Sequence, residues 1–117
     1  MTLLKLNFTN HKEAQDMIKL IAQEKNLSVT ESVQFAINFD NYRCALETGW
    51  GAHALPFWGH SDYRRIWQRI DNPKIEVELK SEKFRLLEDL AQKEDVDVET
   101  AVAYFLLFSM EALGYHI

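Results

Sequence analysis

The chain has 117 residues, of which 47% are hydrophobic and 12% aromatic, so it is long enough to bury one core and too apolar to be a disordered segment. Its formal net charge is −5, and its one cysteine, Cys44, cannot form an internal disulfide. The first residues alternate between apolar and polar side chains, and no apolar run approaches the length of a membrane span. We therefore expect no signal peptide and a soluble, cytoplasmic protein.

A short strand is predicted at the start of the chain, because apolar and polar side chains alternate there with the period of a strand. One face holds Leu4, Leu6 and Phe8, and the other holds Lys5, Asn7 and Thr9. A helix follows, with Asn10 as its N-cap and Glu13 closing a capping box. Asn26 stands where this helix must stop, and Ser28 caps a second helix over 29–46.

Residues 48–73 form a predicted insertion of different composition. Residues 48–60 hold three of the four glycines and two of the three tryptophans, which indicates a loop with aromatic anchors. Ser61 then caps a short predicted helix, whose outer side carries Arg64, Arg65 and Arg69. Two interpretations remain open. The aromatic side chains, Trp58 among them, pack the insertion against the core, or Trp58 and the three arginines form a partner-binding surface.

The same order of elements is predicted after the insertion. The inner face of a second strand holds Ile75, Val77 and Leu79, and its outer face holds Lys74, Glu76, Glu78 and Lys80. Ser81 caps the next predicted helix, Asp95 ends it, and Asp97 caps the last one. That last helix is apolar on all sides, so it must be buried on all sides, either by the insertion or by a second copy in a homodimer.

The two halves of the chain resemble each other. Residues 22–33 align with 91–102 without a gap, and Leu4 corresponds to Ile75, 71 residues later. Strand, helix, turn and helix in about 40 residues resembles the ribbon-helix-helix family of DNA-binding proteins, the Arc and MetJ type. The resemblance implies a single, mainly α domain over 1–117 with a two-stranded antiparallel ribbon. Its two fused repeats, 3–47 and 74–117, would fold as a pseudo-dimer joined by the aromatic-rich insertion 48–73.

The resemblance also implies a DNA-binding transcriptional regulator whose ribbon reads the major groove. Lys5 offers a donor to guanine, Asn7 a bidentate amide to adenine, and Thr9 a hydroxyl and a methyl group. Lys74 and Lys80 of the second strand are further expected contacts with duplex DNA. The helix start after Ser28 is expected to hold a phosphate group.

Charge favours an alternative function on the same scaffold. Lys and Arg number 5 against 6 Asp and Glu in 1–47, 3 against 2 in 48–73, and 5 against 10 in 74–117. The acidic excess of the second half opposes DNA binding on that side, because Glu76 and Glu78 would face the duplex. A protein-binding module is the alternative: an antitoxin, inhibitor or adaptor that acts through Trp58 and the three arginines or through the acidic half. Either function suits a bacterial or phage protein.

No catalytic motif stands out in the sequence. The histidines and the cysteine lie at positions that lack the spacing of a zinc site: His11, Cys44, His53, His60 and His116. The glycines of the insertion lack the pattern and the preceding strand of a dinucleotide site. We expect no cofactor, no metal and no enzymatic activity.

Overall fold

The computed structural model describes residues 2–38 and 69–112, with side chains as far as residue 110, and this part of the chain contains two strands and four helices. In chain order they are β1 (Thr2–Asn7), α1 (Lys12–Lys25), α2 (Val29–Ile37), β2 (Lys74–Leu79), α3 (Ser81–Glu94) and α4 (Val98–Ala112). The prediction of a mainly helical chain with a two-stranded antiparallel sheet is confirmed. Most of the predicted insertion lies outside the described residues.

The two strands pair with each other along their whole length. Leu4 lies opposite Val77 and Leu6 opposite Ile75, and just beyond the strands Phe8 N donates to Pro73 O at 2.9 Å. Except for Leu3, the apolar side chains of both strands are buried, and the charged ones are exposed, as the alternation predicted. An isolated pair of strands is marginally stable in water, so the helices beneath the buried face are what stabilise the ribbon.

The last helix, α4, forms the centre of the helical layer. It packs against α1, α2 and α3 and also touches β1. Residues 101–107, 109 and 110 are buried, so the prediction of burial on all sides holds for them, whereas residues 98–100 and 108 are partly exposed. The other helices of the chain therefore cover much of the apolar surface of α4. The sequence alone leaves the insertion or a second copy of the protein as candidates for covering it. A homodimer stays a prediction.

The turns between the paired helices follow the sequence closely. Asn26 ends α1 and Asp95 ends α3, both with a left-handed backbone, at φ 55° and 54°. Asn and Asp tolerate this conformation better than most residues. Ser28 caps α2, as predicted, and it forms a complete capping box with Glu31. Asp97 accepts a hydrogen bond from Thr100 N at 2.8 Å, which confirms it as the cap of α4.

Three predicted helix ends are wrong. The N-cap of α1 is His11, whose Nδ1 accepts from Ala14 N at 3.2 Å, because a turn closed by His11 N and Phe8 O carries the chain past Asn10. The N-cap position of α3 belongs to Lys80 and makes no side-chain cap bond, so Ser81 is already helical. The second helix ends at Ile37 instead of residue 46, with Asn38 as its C-cap.

A buried glutamine ties the ribbon to the helical layer. Gln15 of α1 is 5% exposed, and its Nε2 donates to Phe8 O at 2.7 Å and to Thr9 O at 3.3 Å. Its Oε1 accepts from Ile70 N at 3.3 Å. A buried amide needs partners of this kind, because leaving one unsatisfied costs about 1–3 kcal/mol. This side chain fixes the end of β1 and the approach to β2 together.

Candidate nucleic-acid interface

The outward face of the ribbon consists of three cross-strand pairs. They are Leu3 with Glu78, Lys5 with Glu76, and Asn7 with Lys74. Phe8 and Pro73 form a hydrogen-bonded pair, and such pairs alternate with non-hydrogen-bonded pairs along an antiparallel ribbon. The odd-numbered residues of β1 therefore belong to non-hydrogen-bonded pairs, in which facing side chains approach most closely. The central pair joins opposite charges, an arrangement that stabilises a ribbon modestly. With two lysines and two glutamates, this face carries no net charge.

The starts of two helices flank this face. Thr30 in the first turn of α2 and Glu99 in the first turn of α4 both line an open concavity of about 630 Å³ with residues of the two strands. Since α2 packs against β2 and α4 against β1, the helix starts lie along opposite edges of the ribbon. Glu99 Oε2 accepts from Asn7 N at 3.0 Å, which joins α4 to the outer edge of β1.

Asn7 uses its side-chain oxygen within the fold. Asn7 Oδ1 accepts from Thr9 N at 3.1 Å and also from the Thr9 hydroxyl. A carbonyl oxygen has two lone pairs, and both are engaged here. The bidentate contact with adenine predicted for Asn7 thus requires these bonds to break, whereas its amino group can donate outward without that cost. The Thr9 hydroxyl is committed to the same local turn.

Carboxylates lie at both helix starts that flank the ribbon. At α2, Ser28 Oγ accepts from Glu31 N at 3.1 Å, and Glu31 Oε1 accepts from Ser28 N at 3.0 Å. Hydrogen bonds from the backbone and side chain of Ser28 lower the pKa of Glu31. At α4, both Asp97 and Glu99 are present. A phosphate group therefore meets one carboxylate at the α2 start and two at the α4 start, and the predicted phosphate site after Ser28 is the less acidic of the two.

The protonation of the Asp97 carboxyl group is coupled to folding. Hydrogen bonds from Thr100, first from its side chain and then from its backbone, lower the pKa of this carboxyl group. A carboxyl group whose pKa is depressed by folding stabilises the fold above its unfolded-state pKa, and that contribution is lost as pH falls through the folded-state pKa. We expect Asp97→Asn, which keeps an N-cap acceptor, to lose less stability than the unchanged protein as the pH falls below about 4, the unfolded-state pKa of an aspartate.

Urea unfolding at several pH values measures this difference. Asp89→Asn, at an exposed position of α3, is the matched control and should follow the unchanged protein. Identical pH profiles for the two variants would show that the Asp97 cap does not couple to folding.

The other predicted site residues are spread around the ribbon. Lys74 and Lys80 are exposed and lie at opposite ends of β2. Arg69 is exposed and lines a hollow of about 210 Å³ together with Thr9 and Lys12, beyond the end of β1. The structure thus brings Arg69 next to the Thr9 end of the ribbon. Trp58, Arg64 and Arg65 lie outside the described residues.

Three residues that lie near the ribbon were not predicted from the sequence as part of the candidate site. Leu3 is 49% exposed and lies opposite Glu78, although its position two residues before Lys5 already assigned it to the outward face. Glu99 approaches Asn7 across 92 positions of the sequence, and no local pattern predicts such a contact. Lys12 lines the same hollow as Arg69, although the two residues are far apart in the sequence.

The described residues contain neither a metal site nor a membrane-spanning helix, and no related protein indicates a function. Within residues 2–38 and 69–112, no group of three His, Cys, Asp or Glu side chains is arranged to hold a metal ion. Among the helices of the same residues, none has the length and apolar character needed to span a membrane. No protein-family model, curated protein or solved structure matches the chain. The geometry and chemistry of the ribbon face are therefore the grounds for assigning a function.

Proposed function

We propose that the chain is a DNA-binding regulator of ribbon-helix-helix type, in which two strand-helix-helix units of one polypeptide form a pseudo-dimer joined through residues 48–73. The observation that supports it is an exposed, polar antiparallel ribbon with helix starts along both of its edges. The major groove, about 12 Å wide, admits a two-stranded ribbon. The helix starts on either side would then face the phosphates of the two DNA backbones.

Four cationic side chains provide the contacts with DNA that this proposal requires. Lys5 and Lys74 project from the outward face and can donate to guanine O6 and N7. Lys12 and Arg69 line one hollow beyond the Thr9 end of the ribbon, where a duplex running along the face would bring a phosphate. These four cations provide electrostatic attraction in a chain whose net charge is negative.

Duplex binding at low salt, followed by a salt titration, tests the proposal. We expect the logarithm of affinity to fall linearly with the logarithm of salt concentration, with a slope near −0.9 for each phosphate contacted. Lys5→Ala should weaken binding to the preferred sequence by roughly 1–3 kcal/mol, because a base contact is lost. Lys93→Ala, at an exposed position in the last turn of α3, is the control and should bind as the unchanged protein does. A folded protein without affinity for any duplex at low salt refutes the proposal.

A second candidate function is supported by a different observation. Five carboxylates lie on the ribbon face or at the helix starts beside it, those of Glu31, Glu76, Glu78, Asp97 and Glu99. Carboxylates repel a phosphate backbone but suit a basic protein surface, so the same face is compatible with a protein-binding module. The predicted surface around Trp58 and Arg65 belongs to this candidate as well. Absence of duplex binding at low salt by a folded protein selects it over the first.

A further inference from the structure

We propose that Lys5 and Glu76 act together as the reader of one G·C base pair at the centre of a DNA site that is not palindromic. This inference rests on the proposed DNA-binding function and specifies what that function recognises. It comes from the register of the ribbon, which places these two side chains directly opposite each other on the exposed face.

The register puts the pair at the centre of the two related halves. In the alignment of the strands, each residue of β1 corresponds to the residue 71 positions later, so Lys5 corresponds to Glu76. These two corresponding residues also face each other in the ribbon, so any twofold axis relating the strands passes between them. Two identical strands would place two identical side chains at this point. This chain places a cation opposite an anion.

The chemistry of the pair matches one orientation of one base pair. In the major groove a G·C pair presents the acceptors N7 and O6 on guanine, then the amino donor N4 on cytosine. The Lys5 ammonium group only donates, and the Glu76 carboxylate only accepts. A lysine over guanine beside a glutamate over cytosine satisfies all of these groups. An A·T pair presents its donor between two acceptors. One donating and one accepting side chain placed side by side therefore match it less well.

The flanking pairs are also chemically unequal. Leu3 corresponds to Lys74, so an apolar side chain at one end of the face is matched by a cation at the other. Asn7 corresponds in the same way to Glu78. No position on the outward face keeps the same side chain in both halves, so the DNA sequence that fits it has no reason to be symmetric. Leu3, at 49% exposure, can contact a thymine methyl group at its end of the site.

Selection of the full chain on a library of random duplexes, followed by affinity measurements, tests the inference. The expected result is a non-palindromic motif with G·C at its centre, preferred over the reversed pair by roughly 5- to 150-fold. The double variant Lys5→Glu with Glu76→Lys keeps the net charge and the cross-strand charge pair, so it should fold like the unchanged protein. We expect its preference at the central position to be inverted to C·G, with the rest of the motif unchanged.

Several outcomes would overturn the inference. A palindromic motif contradicts it, and so does a central preference that the charge exchange leaves unchanged, because Lys5 and Glu76 would then be a structural pair only. Should circular dichroism show that the double variant is unfolded, Glu76→Ala serves instead, because alanine has no acceptor for cytosine N4, and unchanged discrimination against the reversed pair contradicts the reading of cytosine. A folded chain that binds no duplex at low salt refutes the DNA-binding function itself, which is a different failure.

Discussion

Replacing Phe8 with alanine should lower the free energy of unfolding by about 3–5 kcal/mol, the range for removing a fully buried phenylalanine. Phe8 is 0% exposed at the end of the ribbon. Its ring stands edge-on to His11, with ring centroids 6.2 Å apart, and its backbone bonds to Pro73 and to the Gln15 side chain. A domain of this size is commonly stable by about 5–15 kcal/mol, so the variant should be close to unfolding.

Urea unfolding followed by circular dichroism measures this loss, and Phe84→Ala provides the matched control. Phe84 lies in α3 and is only partly buried against the core, so its removal should cost clearly less. Equal losses for the two variants would mean that the end of the ribbon is not packed as the structure has it. An unchanged Phe8→Ala variant would mean that the ribbon does not lie on the helical layer.

The strands and the turns between helices could be predicted from the sequence because each depends on local chemistry. A period of two among apolar residues is typical of a strand with one buried face, and both strands lie in the stretches with that period, although β1 ends at Asn7, before Phe8 and Thr9. Asn26 and Asp95 are residue types that accept a left-handed backbone, and both adopt it. Ser28 and Asp97 likewise act as caps through bonds that reach only three residues along the chain.

Features that depend on distant contacts could not be predicted in this way. The N-cap of the first helix is His11 because a turn closed by His11 N and Phe8 O carries the chain past Asn10, and nothing at Asn10 itself indicates this. The register of the two strands could not be predicted either, because shifting one strand by two residues leaves every side chain on the same face of the ribbon. The sequence therefore assigned Lys5 and Glu76 to the outward face without showing that they lie opposite each other. The placement of opposite charges at the centre of the ribbon face follows from that pairing.

A disulfide across the ribbon should stabilise the chain by roughly 4 kcal/mol, because it closes a long loop in the unfolded state. The variant combines Lys5→Cys and Glu76→Cys with Cys44→Ser, which removes the natural thiol. Facing residues at a non-hydrogen-bonded position have Cα atoms about 4.5 Å apart, within the range that a disulfide spans. The bond should therefore form under mild oxidation without moving the backbone, and raise the urea midpoint relative to the reduced form.

The yield of this disulfide is the most direct test of the register, on which the ribbon face and the proposed base contact both depend. The control pairs Lys5→Cys with Glu78→Cys in the same Cys44→Ser background, and these positions are diagonal neighbours about 7–8 Å apart. We expect the Lys5 and Glu76 pair to give a monomer with no free thiol, and the control pair to oxidise slowly and incompletely. Disulfide-linked dimers alone, or equal oxidation of the two pairs, would contradict the pairing of Lys5 with Glu76.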